Sequence, residues 1–178
     1  MRNFRIQLRH DWPLRTVLFL CAWMPDRASL MRFRGWLASF FSAEFGPRLV
    51  LGRYVSFYQP SRIHLGQDVY LAYGVVILAN HDVCIEDDVM ISPYAVVASG
   101  RHTRKSGSFR KGKVIARPIR IGRGTWVGTH ASVLDGAVIG AGCILAENSC
   151  ATAGKSPDNT LDAGVSARAV KEVHDDEP

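Results

Sequence analysis

Aliphatic residues recur at every sixth position through the middle of the chain. From residue 121 to 150 the sequence divides as IGRGTW, VGTHAS, VLDGAV, IGAGCI and LAENSC. Ile121, Val127, Val133, Ile139 and Leu145 thus open successive hexads, usually with Gly or Ala next. The same beat runs through Leu65, Leu71 and Ile77, resumes after a two-residue slip at Ile85, Ile91 and Val97, and is fainter at Leu51 and Phe57. A period of six matches neither the 3.6 residues of a helix nor the 2 of a strand. It is the mark of a solenoid, in which each repeat buries its apolar face only by stacking on its neighbours. Three hexads per rung predict a triangular parallel β-coil. The aliphatic side chain fills the shaft, and the small residue beside it sits where a Cβ would crowd the corner. A parallel α/β sheet would need helical stretches of about 10–15 residues between strands, and residues 63 to 154 contain none.

The two ends do not keep this beat. Val17–Met24 (VLFLCAWM) is a short apolar run between Pro13 and Pro25. It falls far below the ~20 residues that span a bilayer. No small-residue cleavage site follows, which argues against a secretory leader. Asp26 is placed to cap a second helix, with Leu30, Phe33, Leu37 and Phe40 or Phe41 at helical spacing. Trp12, Trp23 and Trp36 fall here, and Arg2, Arg5, Arg9, Arg15, Arg27, Arg32 and Arg34 face only Asp11 and Asp26. Two uses fit such a segment. One is a helical cap over the open end of the coil or against a neighbouring subunit. The other is peripheral contact with an anionic membrane surface.

A further irregularity lies inside the coil. Residues 98–118, ASGRHTRKSGSFRKGKVIARP, interrupt the rhythm between Val97 and Ile121. Gly107 and Gly112, with Arg101, Arg104, Lys105, Arg110, Lys111 and Lys113, predict a mobile cationic arm, and such excursions are where function concentrates. The net charge of +6 follows this arm and the N-terminus, with no nucleic-acid-binding motif beside it. Cys21, Cys84, Cys143 and Cys150 lack CxxC spacing and imply no disulfide framework, which points to a reducing cytoplasm. Cys84 and Cys143 fall on repeat segments, where a buried small thiol is expected.

The segments SRIHLGQDVYLAYG, ISPYAVVASGRH, PIRIGRGTWVGTHASVLDGAVIGAG and AGVSARAVKEV occur in that order over about residues 48–173. They resemble the hexapeptide-repeat acyltransferases, and most of all the maltose and galactoside O-acetyltransferase branch. The resemblance implies a left-handed parallel β-helix over 47–163 and a helical N-terminal segment over 1–46. It also implies a short C-terminal helix over 164–178, ending in a frayed acidic tail, and assembly as a homotrimer. The implied reaction is acetyl transfer from acetyl-CoA to a sugar hydroxyl, with no metal, on a glycan or glycolipid acceptor of capsule, exopolysaccharide or O-antigen synthesis.

Such a transfer needs a base with a pKa near working pH, which favours histidine, ordinarily about 6.5. His102, at the mouth of the excursion, matches the family's catalytic histidine. His130 matches one without a base role, and His64 reads as structural. Asn80 matches a position where sugar acetyltransferases hold the acceptor with a carboxylate, and Ala72 replaces a second acceptor-binding amide. These departures point away from a simple galactoside or maltose. Tyr58, His81 and Arg101 are further acceptor candidates. For acetyl-CoA the resemblance implies Trp126 beside the thioester arm, Thr129 and Ala146 along it, and Lys155, with Arg168 and Lys171, at the nucleotide phosphates. Other classes stay open: N-acetylation of an amino sugar, or a β-helix scaffold without chemistry. A zinc enzyme on the same fold needs three convergent histidines, and the close pair after His102 is missing.

Overall fold

The computed structural model describes residues 11–42 and 44–174; Arg2, Arg5, Arg9 and the acidic end from Asp175 to Pro178 lie outside the described residues. A three-sided parallel β-coil forms the body. Its first face carries β1 (Val50–Leu51), β4 (Tyr70–Leu71), β7 (Met90–Ile91), β12 (Trp126–Val127), β15 (Ile144–Leu145) and β18 (Thr160–Gly164). The second carries β2 (Ser56–Tyr58), β5 (Val76–Leu78), β8 (Val96–Ala98), β13 (Ser132–Leu134) and β16 (Cys150–Ala151). The third carries β3 (Ile63–Leu65), β6 (Val83–Ile85), β11 (Ile119–Ile121), β14 (Ala137–Ile139) and β17 (Gly154–Lys155).

Register turns the hexad rhythm into a core. Leu51, Leu71, Ile91, Val127 and Leu145 stand rung above rung on the first face. Phe57, Ile77, Val97 and Val133 do so on the second, and Leu65, Ile85, Ile121 and Ile139 on the third. None is more than 4% exposed. Full burial of each such side chain contributes about 1.5–3 kcal/mol. A second aliphatic set two residues earlier, including Val69, Val75, Val83, Val89 and Ile119, is equally buried. The hexad reading missed it because those positions also hold Ala, Cys and Thr. The small residue after each hexad opener is required by the next rung: a Cβ on Gly122 would lie 2.5 Å from the Ala141 nitrogen.

The corners differ in length. Between the first and second faces every rung uses four residues, and the same holds between the third and first. Between the second and third faces the linkers are Gln59–Arg62, Ala79–Asp82, Ser99–Pro118, then only Asp135–Gly136 and Thr152–Ala153. All insertions therefore fall on one edge, here called the second corner.

Two helices close the first rung: α1 (Trp12–Leu20) and α2 (Ala28–Ser39). α2 lies flush on the coil, since a Cβ on Gly35 would meet the Leu49 carbonyl oxygen at 1.8 Å. Its inward face is Met31, Arg34, Gly35 and Ala38, whereas Phe33, Trp36 and Phe40 point outward. Asp26 is not the cap expected: the N-cap is Arg27, without a side-chain bond, and Asp26 instead pairs with Arg34 and accepts from the Arg53 backbone N–H. Arg34, 1% exposed, also donates to Leu51 O and Met24 O, both at 2.9 Å. A buried cation needs such partners, and satisfying it locks the elbow between the helices.

Among the described residues the expected C-terminal helix is absent. Ala167–Glu172 forms β19, antiparallel to β18 and turning back from Gly164. The last rung leaves a row of unpaired backbone groups, and pairing them outweighs the good helical propensity that ARAVKE has at every position but Val170. Cys84 also departs from expectation. It faces outward on the third face, half-buried beside Glu86 and Arg120, and burial raises its thiol pKa. Cys143 is buried, its thiol donating to Pro157 O at 3.0 Å.

Candidate active site

The second corner gathers polar groups from four successive rungs. In the second rung the slip seen in sequence is Ala79–Asp82. The buried Ser99 hydroxyl organises it, accepting the His81 backbone N–H and donating to His81 O, each at 2.8 Å. His81 Nδ1 accepts the Asp82 backbone N–H at 2.7 Å, so its proton sits on Nε2. Asn80 takes the Gln59 amide at 3.5 Å on its side chain and the Arg62 guanidinium on its carbonyl. Its amide packs on Gly100, where a Cβ would lie 2.6 Å from Asn80 Nδ2. Asn80 and the chain entering the excursion are therefore in direct contact.

The excursion is a β-hairpin at its base, not a structureless arm. β9 (Arg101–His102) pairs antiparallel with β10 (Val114–Ile115), His102 opposite Val114. Thr103 continues the clamp: its hydroxyl donates to Lys113 O and accepts from Lys113 N, both at 2.9 Å. His102 is exposed on this platform, two residues beyond Gly100.

One carboxylate anchors both ends of the hairpin. Asp135, in the next turn of the same corner, receives Arg117 Nε at 3.0 Å and lies 3.7 Å from Arg101 Nε. Its side chain is 8% exposed, whereas Arg117 and Arg101 are 44% and 59% exposed, so a buried carboxylate is met by arginines that reach in from solvent. Sequence reading missed Asp135, Arg117, Ser99 and Gln59. The available signal was an arginine at each end of the excursion and an acid in the corner that follows. Arg101, an acceptor candidate, is engaged by Asp135, and Tyr58 lies under the Arg15 guanidinium, 4.6 Å from its ring centroid.

The remaining candidates occupy other edges of the coil. Trp126 stands on the first face, its indole N–H donating to Ser92 Oγ at 2.7 Å. Ala146, one rung on, begins the corner between the first and second faces and spends its N–H on Asp162 O at 2.9 Å. Thr129 lies in that corner beside His130, whose ring stacks on Tyr94 with centroids 5.1 Å apart. Tyr94 continues through Tyr73 to Tyr54 in one ladder of rings. Lys155 and Arg168 line one cavity of about 390 Å³ at the open end of the coil, together with Ser156 and Asp162. Asp162 holds the inward position beside Leu145, and burial pushes its carboxyl pKa up. One protomer thus brings Asn80, His81 and His102 together, and Lys155 with Arg168, but keeps the two groups on separate edges. Lys171 lies on β19 opposite Leu161.

The family model for the bacterial transferase hexapeptide (six repeats) matches residues 118–151. The chain belongs with the hexapeptide-repeat transferases. The galactoside O-acetyltransferase of Escherichia coli K12 is 30% identical over 121 residues, covering 68% of this chain and 59% of that protein. The chain therefore spans less than two thirds of that relative's length. WcaF of the same organism, provisionally named a colanic acid biosynthesis acetyltransferase, is 27% identical over 144 residues, 81% of this chain and 75% of its own. A solved galactoside acetyltransferase in complex with coenzyme A shares the fold at TM-score 0.79 and 24% identity, over 96% of this chain and 82% of that one. The three-sided coil is accordingly the left-handed parallel β-helix of these transferases.

Proposed function

We propose that this chain is an acetyl-CoA-dependent O-acetyltransferase acting on a sugar hydroxyl, with His102 as general base. The observation that carries the reading is the second corner, where His102 stands exposed on a braced hairpin above Asn80 and His81. The acceptor hydroxyl is held by Asn80 and its neighbours while the His102 imidazole takes its proton. The hydroxyl oxygen attacks the thioester carbonyl, the carbon–sulfur bond breaks, and the imidazolium returns the proton to the departing thiolate.

Trp126, Thr129 and Ala146 line the thioester arm in this reading, and Lys155 and Arg168 meet the nucleotide phosphates as cations at the rim of one cavity. Because these groups sit on a different edge from His102, the complete site needs a second copy of the chain. A homotrimer, with acceptor edge against cofactor edge, meets that need.

WcaF and the cap both support an acceptor drawn from the precursors of a surface polysaccharide. Phe19 is 78% exposed and Trp23 81%; Trp12, Phe19 and Leu20 are exposed on α1, and Trp23 in the turn just after it. No helix among the described residues is long and apolar enough to cross a membrane. An aromatic and arginine-bearing cap of this kind supports peripheral attachment at the cytoplasmic face, where precursors of a surface polysaccharide are assembled. The test is mass spectrometry of surface glycans with and without the gene, alongside thioester consumption by the purified chain. Loss of one acetyl mass from the glycan is expected. Identical glycans and no thioester consumption would sink the reading.

A further inference from the structure

A cleft of about 200 Å³ separates α1 from the first rung. Leu14, Leu18, Ala22, Val55 and Phe57 give it an apolar floor, while Arg15, Arg34 and Arg53 stand in its walls and no acidic residue lines it. The cleft is held open by the elbow described above: Arg34 is tied to Leu51 O, Met24 O and Asp26, and Arg53 to Asp26.

We infer that this cleft binds an aliphatic chain bearing a phosphate, the lipid carrier of the acceptor sugar. The apolar floor and the Arg15 guanidinium over Tyr58 match the two ends of such a molecule, Arg34 and Arg53 being engaged by Asp26, and an apolar trough gains free energy when a hydrocarbon chain displaces its water. The position supplies the direction of binding. One end of the cleft is Tyr58, with Arg15 over its ring. Gln59 follows in the second corner and reaches Asn80, which packs on Gly100 just before His102. Tyr58, Leu78 and Ala98 are stacked in register over three rungs, two steps apart. At a strand spacing near 4.8 Å, Ala98 stands roughly 10 Å along the coil from Tyr58, and His102 follows four residues on, a separation on the scale of a short glycan. The other end opens past Phe19 onto the exposed Trp12, Leu20 and Trp23, the side from which a lipid in a bilayer leaflet would enter.

This inference deepens the O-acetyltransferase reading, and its test does not depend on activity. The full chain is titrated by calorimetry with farnesyl phosphate below its micelle concentration, with inorganic phosphate and anionic phosphatidylglycerol vesicles as separate arms. Ala22→Trp, which fills the half-buried mouth, and Arg15→Glu, which reverses the wall charge, are compared after thermal melting confirms that both fold. Farnesyl phosphate should bind once per chain, at least about tenfold more weakly in each variant, a loss of ~1.4 kcal/mol. Inorganic phosphate should not bind measurably. No binding of farnesyl phosphate by the parent chain, or equal binding by Ala22→Trp, overturns the proposal. Binding to vesicles alone, unchanged in Ala22→Trp, also overturns it, and leaves the cap as a surface contact. Farnesyl phosphate binding without acetyl transfer to any glycan keeps the cleft and removes the enzymology instead.

Discussion

The first and second corners of the coil are cut from the same rungs, yet they follow opposite rules. Where the first face meets the second, every rung uses four residues, and Tyr54, Tyr73, Tyr94 and His130 stack along the edge. Where the second meets the third, linker length varies from two residues to the whole of Ser99–Pro118, and the polar candidates collect. A rung can afford an irregular corner only because its other two hold the register. The rigid edge keeps strands aligned above and below the insertion, so the hairpin carrying His102 springs from a fixed base. Chemistry is concentrated where the stride breaks, and its precision comes from where it does not.

Substitutions on each edge sharpen this contrast. The largest effect belongs to His102→Ala. Turnover should fall by ~10²–10⁴ with folding intact, read from steady-state thioester consumption; near-normal turnover would remove His102 from the chemistry. Asp135→Asn comes next, since it removes the charge that both Arg101 and Arg117 face. Losing one charge-assisted contact of ~1.5–3 kcal/mol at the hairpin base should lower kcat by about tenfold to a hundredfold. KM for acetyl-CoA, which the proposed function places on another edge, should hardly move. A change in KM alone would show that Asp135 serves the cofactor side. The smallest effect is expected at the regular edge. Tyr94→Ala should lose ~1–2 kcal/mol of stability in denaturant titration while retaining transfer. Lost activity at unchanged stability would erase the distinction between the two corners.

The coil was legible because its core demands one residue type at one interval, and side chains such as Ile121 and Leu145 have nowhere else to go. The excursion was legible as a gap in that interval. Its internal order was not, because Thr103, Gly112 and Lys113 pair by geometry that composition hides. Asp135 reads as an ordinary turn residue in VLDGAV, and only the fold sets it under two arginines many residues upstream. The cap was legible as helical but not in its facing. Spacing favoured Phe33 and Phe40 as the packed side, whereas close contact with Leu49 selected Gly35 and Ala38. The C-terminal strand was beyond local reading, since what makes it a strand is the bare edge of the rung beneath it.

That last rung has one more effect. A solenoid has no intrinsic length, and two such columns can dock end to end and grow into fibres. Asp162 sets a carboxyl group where the aliphatic column would otherwise continue from Leu145, and β19 folds across the exposed backbone beside it. Together they act as a full stop, fixing the number of rungs and keeping neighbouring molecules from extending the stack.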